Sequence, residues 1–191
     1  MPNKEEKTQK SLSSEENSAI EALKEAKKTL SREEKFMLEA LKEANKALAK
    51  DEVPIGAVVV FENKIIARGH NQKEKTQIAT KHAEVIAIEK ACKKVGSWRL
   101  CDCELFVTLE PCPMCASLIT QSRIENLYYG ATDEKGGGVS LFDIFNCEKL
   151  NHKTYVESGV LNNQCSQILK DYFKMKRERN RQKKLQKKSM E

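Results

Sequence analysis

The sequence predicts an α/β sandwich around a mixed sheet, and three observations predict it. Apolar residues at helical spacing alternate with short β-rich runs along most of the chain. Two such runs, 57–61 and 64–68, flank Glu62-Asn63 as a hairpin. Two more, 105–109 and 126–131, enclose a helical stretch at 113–121. Strand, short helix, strand is a crossover unit whose strands lie parallel.

Taken in order, residues 1–30 are rich in Lys, Glu, Ser and Asn and hold little that builds a core. They contain one copy of a local repeat: Glu21-Ala22-Leu23-Lys24-Glu25-Ala26 recurs as Glu39-Ala40-Leu41-Lys42-Glu43-Ala44. Both copies use strong helix formers. The second carries more apolar mass (Phe36, Met37, Leu38, Leu41, Leu48) and is expected as the first domain helix, with Ser31 and Glu34 as a capping box. The first copy is left without a function, since two copies make no solenoid. From Pro54 the pattern turns to β, and the hairpin follows. A helix over 80–95, apolar on most sides, is expected to be buried. After the crossover, Gly136-Gly137-Gly138 leads to a shorter strand at 154–156, and a last helix runs from about Asn163 into a basic tail. The expected organisation is an extension (1–30), one domain (31–173) and a basic helix or tail (174–191).

Composition bounds what such a chain does. Its 191 residues suffice for one domain with tails, large enough to hold a core without disulfide staples. The longest nearly apolar run, 53–61, is broken by Pro54 and Gly56 and is far too short for a bilayer. No secretory or transit pattern opens the sequence. Seven cysteines, odd in number and irregular in spacing, are expected as reduced thiols or metal ligands. Secreted, membrane-embedded and fibrous classes are excluded, and a cytoplasmic location is expected. The net charge of +6 is unevenly placed: residues 170–191 carry ten Lys/Arg against three Asp/Glu, leaving the rest at −1. A basic tail on a near-neutral body suggests a polyanionic partner, with a merely solvated tail as the alternative.

Chemistry concentrates at two places. His82-Ala83-Glu84 lies at the opening of the buried helix, and Pro111-Cys112-Pro113-Met114-Cys115 at the junction of strand and crossover helix. Cys112 and Cys115, at i and i+3, share one side of the first helical turn. Two thiolates and one imidazole make three ligands, which leaves the fourth zinc position to water, as in catalytic sites. The positive helix ends favour thiolate over thiol. Glu84, two residues beyond His82, is free to move protons. Alone, His82 reads as an ordinary histidine and Cys-x-x-Cys as a redox pair or half a zinc knuckle. Together they form the known zinc-deaminase signature. His70 and His152 lack a local motif, and Cys92, Cys101, Cys103, Cys147 and Cys165 read as structural or incidental.

With these motifs the chain resembles the bacterial-type tRNA-specific adenosine deaminases of the cytidine deaminase superfamily. The resemblance covers roughly 33–184. It includes Val53-Pro54-Ile55-Gly56-Ala57-Val58, Gly69-His70-Asn71, Thr108-Leu109-Glu110-Pro111, Ser122-Arg123-Ile124, Asn151-His152 and Tyr172-Phe173-Lys174. It implies three layers (α/β/α) around a five-stranded mixed sheet, a homodimer and one Zn2+ per subunit. It also implies an anticodon stem-loop whose wobble adenosine becomes inosine. By the same resemblance His82, Cys112 and Cys115 hold the metal and Glu84 shuttles protons. Asn71, Ile55, Ala83 and Leu109 meet the flipped nucleotide, while Phe173, Lys174, Lys176 and Arg177 meet RNA. Taken singly, Asn71 also reads as a turn residue, and Ile55 and Leu109 as core. Lys81 departs from the small residue the family commonly carries before its metal histidine.

The chemistry is then hydrolytic: the base is splayed from its loop, zinc-activated hydroxide attacks C6, and Glu84, having accepted the water's proton, protonates the ring nitrogen and later, in a second transfer, the leaving amine. Two rivals remain. One is a deaminase of free cytosine, cytidine or guanine, which the basic tail disfavours. The other is a zinc-stabilised RNA-binding module without turnover, which has no use for Glu84.

Overall fold

The computed structural model describes residues 30–188. The first copy of the repeat lies outside the described residues. Helix α1 (Arg32–Leu48) starts where the capping box places it: the Glu34 N–H donates to Ser31 Oγ at 3.1 Å, and the Ser31 N–H to Glu34 Oε2 at 2.8 Å. Strands β1 (Gly56–Phe61) and β2 (Lys64–His70) form the hairpin. Glu62 and Asn63 both take positive φ, 47° and 58°, as a two-residue turn matched to strand twist requires. A short helix α2 (Lys73–Thr76), which no sequence pattern announced, precedes α3 (Ala83–Val95). Strand β3 (Cys103–Leu109), helix α4 (Pro113–Gln121) and strand β4 (Asn126–Ala131) make the crossover, and β3 and β4 pair in parallel. Strand β5 (Tyr155–Ser158) and helix α5 (Asn162–Lys188) close the fold. The division expected at 173/174 falls within this one helix.

The sheet order is β2-β1-β3-β4-β5, antiparallel on the hairpin side and parallel beyond β3. Alternation along the strands sends side chains to two cores. Val59, Leu105, Val107 and Leu127 meet Ala87, Ile88 and Ala91 of α3 and Ala116 and Ile119 of α4. Val58, Val60, Phe106 and Tyr128 meet Met37 and Leu41 of α1 and Cys165 and Leu169 of α5. Phe106, fully buried, stacks on Tyr128 with centroids 4.5 Å apart, a pairing worth about 1 kcal/mol beyond burial. The result is the expected three-layer sandwich around five mixed strands. The helices approach the sheet closely: a Cβ at Gly69 would stand 2.2 Å from the Ala83 carbonyl, so only glycine lets α3 begin against β2.

Candidate active site

Helix α3 begins at Ala83, three residues later than its apolar pattern suggests, because His82 is extended (φ −78°, ψ 158°) and serves as N-cap. Cys112 is the N-cap of α4 in the same conformation, Pro113 follows at the first turn, and Cys115 lies within that turn. Two helix N-termini are thereby aimed at one point. His82 Nδ1 lies 3.7 Å from Cys112 Sγ and 3.6 Å from Cys115 Sγ. Among the described residues these three form the one cluster able to hold a metal ion, with all ligand atoms within 4.8 Å of one another.

The spacing fits zinc. A tetrahedral ion with Zn–S of about 2.3 Å and Zn–N of about 2.0 Å sets sulfur and nitrogen about 3.6 Å apart. The donor chemistry fits as well. The hydrogen bond from the Cys115 thiol, followed by that from His82, holds Cys112 down to about 4. The same bond to Cys112, together with burial, pushes Cys115 up, and His82 is raised chiefly by its bond to Cys112. A divalent cation held there would displace the shared proton, and both sulfurs would ligate as thiolates.

Glu84 supports the same fit. It is buried, and its Oε2 has no hydrogen-bond partner. Burial raises its pKa, against the opposing pull of its own backbone N–H and of His82. An unpartnered carboxylate oxygen buried two residues from a candidate ligand is expensive unless water or substrate engages it.

The other expected site residues stand outside the ligand cluster. Ala83 is buried between His82 and Glu84. Asn71, buried just after β2, donates its N–H to the Ile55 carbonyl at 3.1 Å, and its Nδ2 approaches Glu52 Oε2 at 3.5 Å. Ile55 packs against both cores. Leu109, at the end of β3, lines a cleft of about 610 Å3 together with Val53, Lys135, Phe173 and Arg177. Of the four residues expected to meet RNA, the cleft thus gathers Phe173 and Arg177. Lys174 is exposed outside it, and Lys176 turns to Asp51 Oδ2 at 2.9 Å. Lys81, the departure before His82, reaches Glu89 at 3.2 Å.

Two carboxylates that sequence reading did not single out hold this site in shape. Glu52, fully buried, accepts the Glu74 and Lys75 N–H groups at 3.0 and 2.6 Å and so ties α2 beside Asn71. Glu110, one residue before Pro111, accepts the N–H groups of Asp133 (2.9 Å), Val139 (3.0 Å) and Ser140 (2.7 Å). It folds the glycine-rich loop onto the Cys112 turn. A Cβ at Gly137 would stand 2.1 Å from Glu110 Oε1, which explains a glycine there. Neither acid has a local signature, because its partners are distant backbone.

Comparison with known proteins agrees with this geometry. A family model described as MafB19-like deaminase matches residues 30–177. A tRNA-specific adenosine deaminase of Streptococcus pyogenes serotype M1 is 47% identical over 128 residues, 66% of this chain and 75% of that protein. A solved structure from studies of A-to-I editing by tRNA:A34 deaminases at the wobble position is 45% identical, with a TM-score of 0.68 over 70% of this chain and 98% of that one. A guanine deaminase from Bacillus subtilis is 41% identical, with a TM-score of 0.51 over 52% of this chain and 64% of that one. The extent of these matches, falling on a chain with the deaminase ligand triad at metal-binding distances, shows that it belongs to the MafB19-like deaminase family and to the tRNA-specific adenosine deaminases.

Proposed function

We propose that this chain converts adenosine to inosine at the wobble position of a tRNA anticodon, with Zn2+ held by His82, Cys112 and Cys115. The observation that carries the reading is the triad at tetrahedral spacing beside the unpartnered Glu84 oxygen, in a chain 47% identical to a tRNA-specific adenosine deaminase. When bound, zinc supplies a water ionised near neutral pH and positions it for attack. Glu84 accepts a proton from the attacking water and delivers it to the adenine ring nitrogen, then carries the second proton, from the new hydroxyl at C6, to the departing amine. Its raised pKa suits both directions of transfer. Asn71, Ala83, Ile55 and Leu109 hold the splayed nucleotide, and burial around Glu84 keeps bulk water from the transfer. Phe173 offers a stacking face and Arg177 a charge where the cleft opens, and Lys174 adds phosphate attraction beside it. The reading includes a homodimer with one zinc per subunit, an anticodon stem-loop as substrate, and a cytoplasmic setting in which the seven cysteines stay reduced.

A second reading, a guanine deaminase, is favoured by the 41% identical Bacillus subtilis structure. The two separate when a panel of anticodon stem-loops is scored for inosine beside free adenosine, cytidine and guanine. Inosine at the first anticodon position, with guanine untouched, is the expected result. Turnover of free guanine alone rejects it.

A further inference from the structure

Three donors converge on the fully buried Glu52 carboxylate. The Lys75 N–H donates to Oε1 at 2.6 Å, the Glu74 N–H to Oε2 at 3.0 Å, and Asn71 Nδ2 approaches the same Oε2 at 3.5 Å. We propose that Glu52 is a positioning residue: it holds the nitrogen of the Asn71 amide so that the amide oxygen faces the nucleotide, and it fixes the loop that runs from Asn71 to His82. Asn71 takes here the nucleotide contact proposed above, on which this role rests.

The amide comes first. An asparagine side chain carries a donor and an acceptor on one planar group, and what it meets decides which way it points. A carboxylate offers acceptors alone, so it repels Oδ1 and suits Nδ2. The Asn71 main chain is pinned separately, its N–H donating to the Ile55 carbonyl at 3.1 Å. With the backbone fixed and Nδ2 turned to Glu52, Oδ1 is the atom left to accept from a donor on the splayed nucleotide. The 3.5 Å separation is long, as hydrogen bonds in catalytic sites often are before substrate seats and tightens them.

The loop follows. Helix α2 buries none of its residues, and its N-cap, Gln72, makes no side-chain cap bond, so neither packing nor a local cap holds its start. Glu74 and Lys75 are its second and third residues, whose N–H groups an N-cap side chain ordinarily takes. Glu52 takes both from more than twenty residues away. The Gln72 N–H then donates to the Lys81 carbonyl at 3.0 Å, which closes residues 72–81 into a loop with Asn71 at one end and His82 at the other. Glu52 is itself tied to the end of α1, its N–H donating to the Ala47 carbonyl at 3.1 Å. Burying a carboxylate this deeply is costly unless donors surround it. Here the donors that repay the cost belong to the amide and to the start of the loop that ends at the first candidate metal ligand.

The test exchanges donor and acceptor in the full chain. In Glu52→Gln the new side chain keeps an oxygen for the Lys75 N–H and turns its NH2 toward Asn71, whose amide must then flip. Deamination of an anticodon stem-loop should lose about tenfold or more in kcat, the worth of one hydrogen bond to a charged group. Stem-loop affinity, set mainly by phosphate contacts, should stay within about twofold, and zinc content should not change. Adding Asn71→Asp sets a carboxylate opposite the new amide and keeps the charge of the pair. The double variant should therefore regain at least about threefold in kcat over Glu52→Gln. A residue that only braces α2 would show a loss that Asn71→Asp does not relieve, and that result overturns the proposal, as does wild-type kcat in Glu52→Gln. If Glu52→Gln does not fold, the double variant is compared with Asn71→Asp, whose opposed carboxylates Glu52→Gln should relieve in melting temperature and in kcat; no relief overturns the pairing. Wild-type turnover by Asn71→Ala overturns the role and leaves the deaminase reading intact. Should the wild type form no inosine, that reading fails and the Asn71 side-chain amide protons, followed by NMR, decide alone. They should exchange with solvent faster in Glu52→Gln than in wild type, and equal exchange overturns the pairing.

Discussion

Asp51 and Lys176 meet at 2.9 Å although 125 residues separate them, and Arg179 joins the same carboxylate oxygen at 2.8 Å. The turn after α1 thus holds the basic helix by two of its charges, while the Tyr172 hydroxyl donates to the Asp51 carbonyl at 3.1 Å. The basic residues of α5 divide into anchors and free charges.

That division predicts different salt behaviour. Replacing Lys174 and Arg177 together by Ala should weaken stem-loop binding and flatten the plot of log affinity against log salt by up to about two units. Lys176→Ala should change that slope little, because its ammonium is already engaged. Equal slopes for all variants would reduce the tail to a solvated helix. Zinc content should remain unchanged throughout.

Glu84→Gln should abolish turnover by at least ~10²–10⁴-fold, the contribution of a general acid–base group, and keep its metal. Since the native carboxylate is buried with an unpartnered oxygen, the variant should melt no lower than wild type. Retained deamination, measured as inosine formed, would remove Glu84 from proton transfer.

Cys112→Ala and Cys115→Ala should lose stoichiometric zinc by metal analysis, whereas Cys101→Ala and Cys147→Ala, both exposed and outside the cluster, should keep it. A chelator should lower the melting temperature of wild type and leave the Cys112→Ala protein unchanged. The reverse ranking would overturn the ligand assignment.

Glu110→Ala strands three backbone N–H groups in the loop beside Cys112. Charge-assisted bonds of this kind make the loss about 2–4 kcal/mol, or roughly 5–15 °C in melting temperature for a domain of this size. Thermal denaturation within about 1 °C of wild type would show that the loop holds its shape without the carboxylate.

His70 predicts a pH effect. The Lys50 ammonium donates to its Nε2 at 2.9 Å, which leaves Nδ1–H to donate to Glu43 Oε2 at 3.2 Å, a neutral imidazole between two charges. Burial, helped by Lys50, lowers its pKa below the usual 6.5 despite Glu43. The unfolded chain therefore takes up the proton first, so this contribution is full above pH 6.5 and is lost as pH falls from there toward the depressed folded value. His70→Gln should flatten the fall of melting temperature between pH 7 and 5. An identical fall in both proteins would assign it to other groups.

How much of this was legible follows from where each signal resides. Helix α4 and strand β4 were readable to the residue because Pro113 marks a first helical turn and the apolar run after Glu125 is short and β-rich. The start of α3 was not, since Ala, Thr and Lys before His82 are compatible with helix and only tertiary fit makes His82 extended. Helix α2 buries none of its residues, so no hydrophobic pattern could announce it, and Glu52 holds it from a distance. The metal triad was readable because its ligands sit in two local motifs. Which basic residues of α5 remain free was not, since that depends on Asp51, far away along the chain.

The position of α5 also bears on synthesis. By the time Ser158 is made, all five strands of the sheet and the three side chains of the His82, Cys112 and Cys115 cluster exist, but Cys165 and Leu169 have yet to cover Val58, Phe106 and Tyr128. The helix that completes this apolar face is the one that carries the basic charge. A chain arrested before it emerges from the ribosome exposes hydrophobic surface and lacks its basic end at once. A nascent copy that carries the basic charge is therefore one whose second core has its last covering.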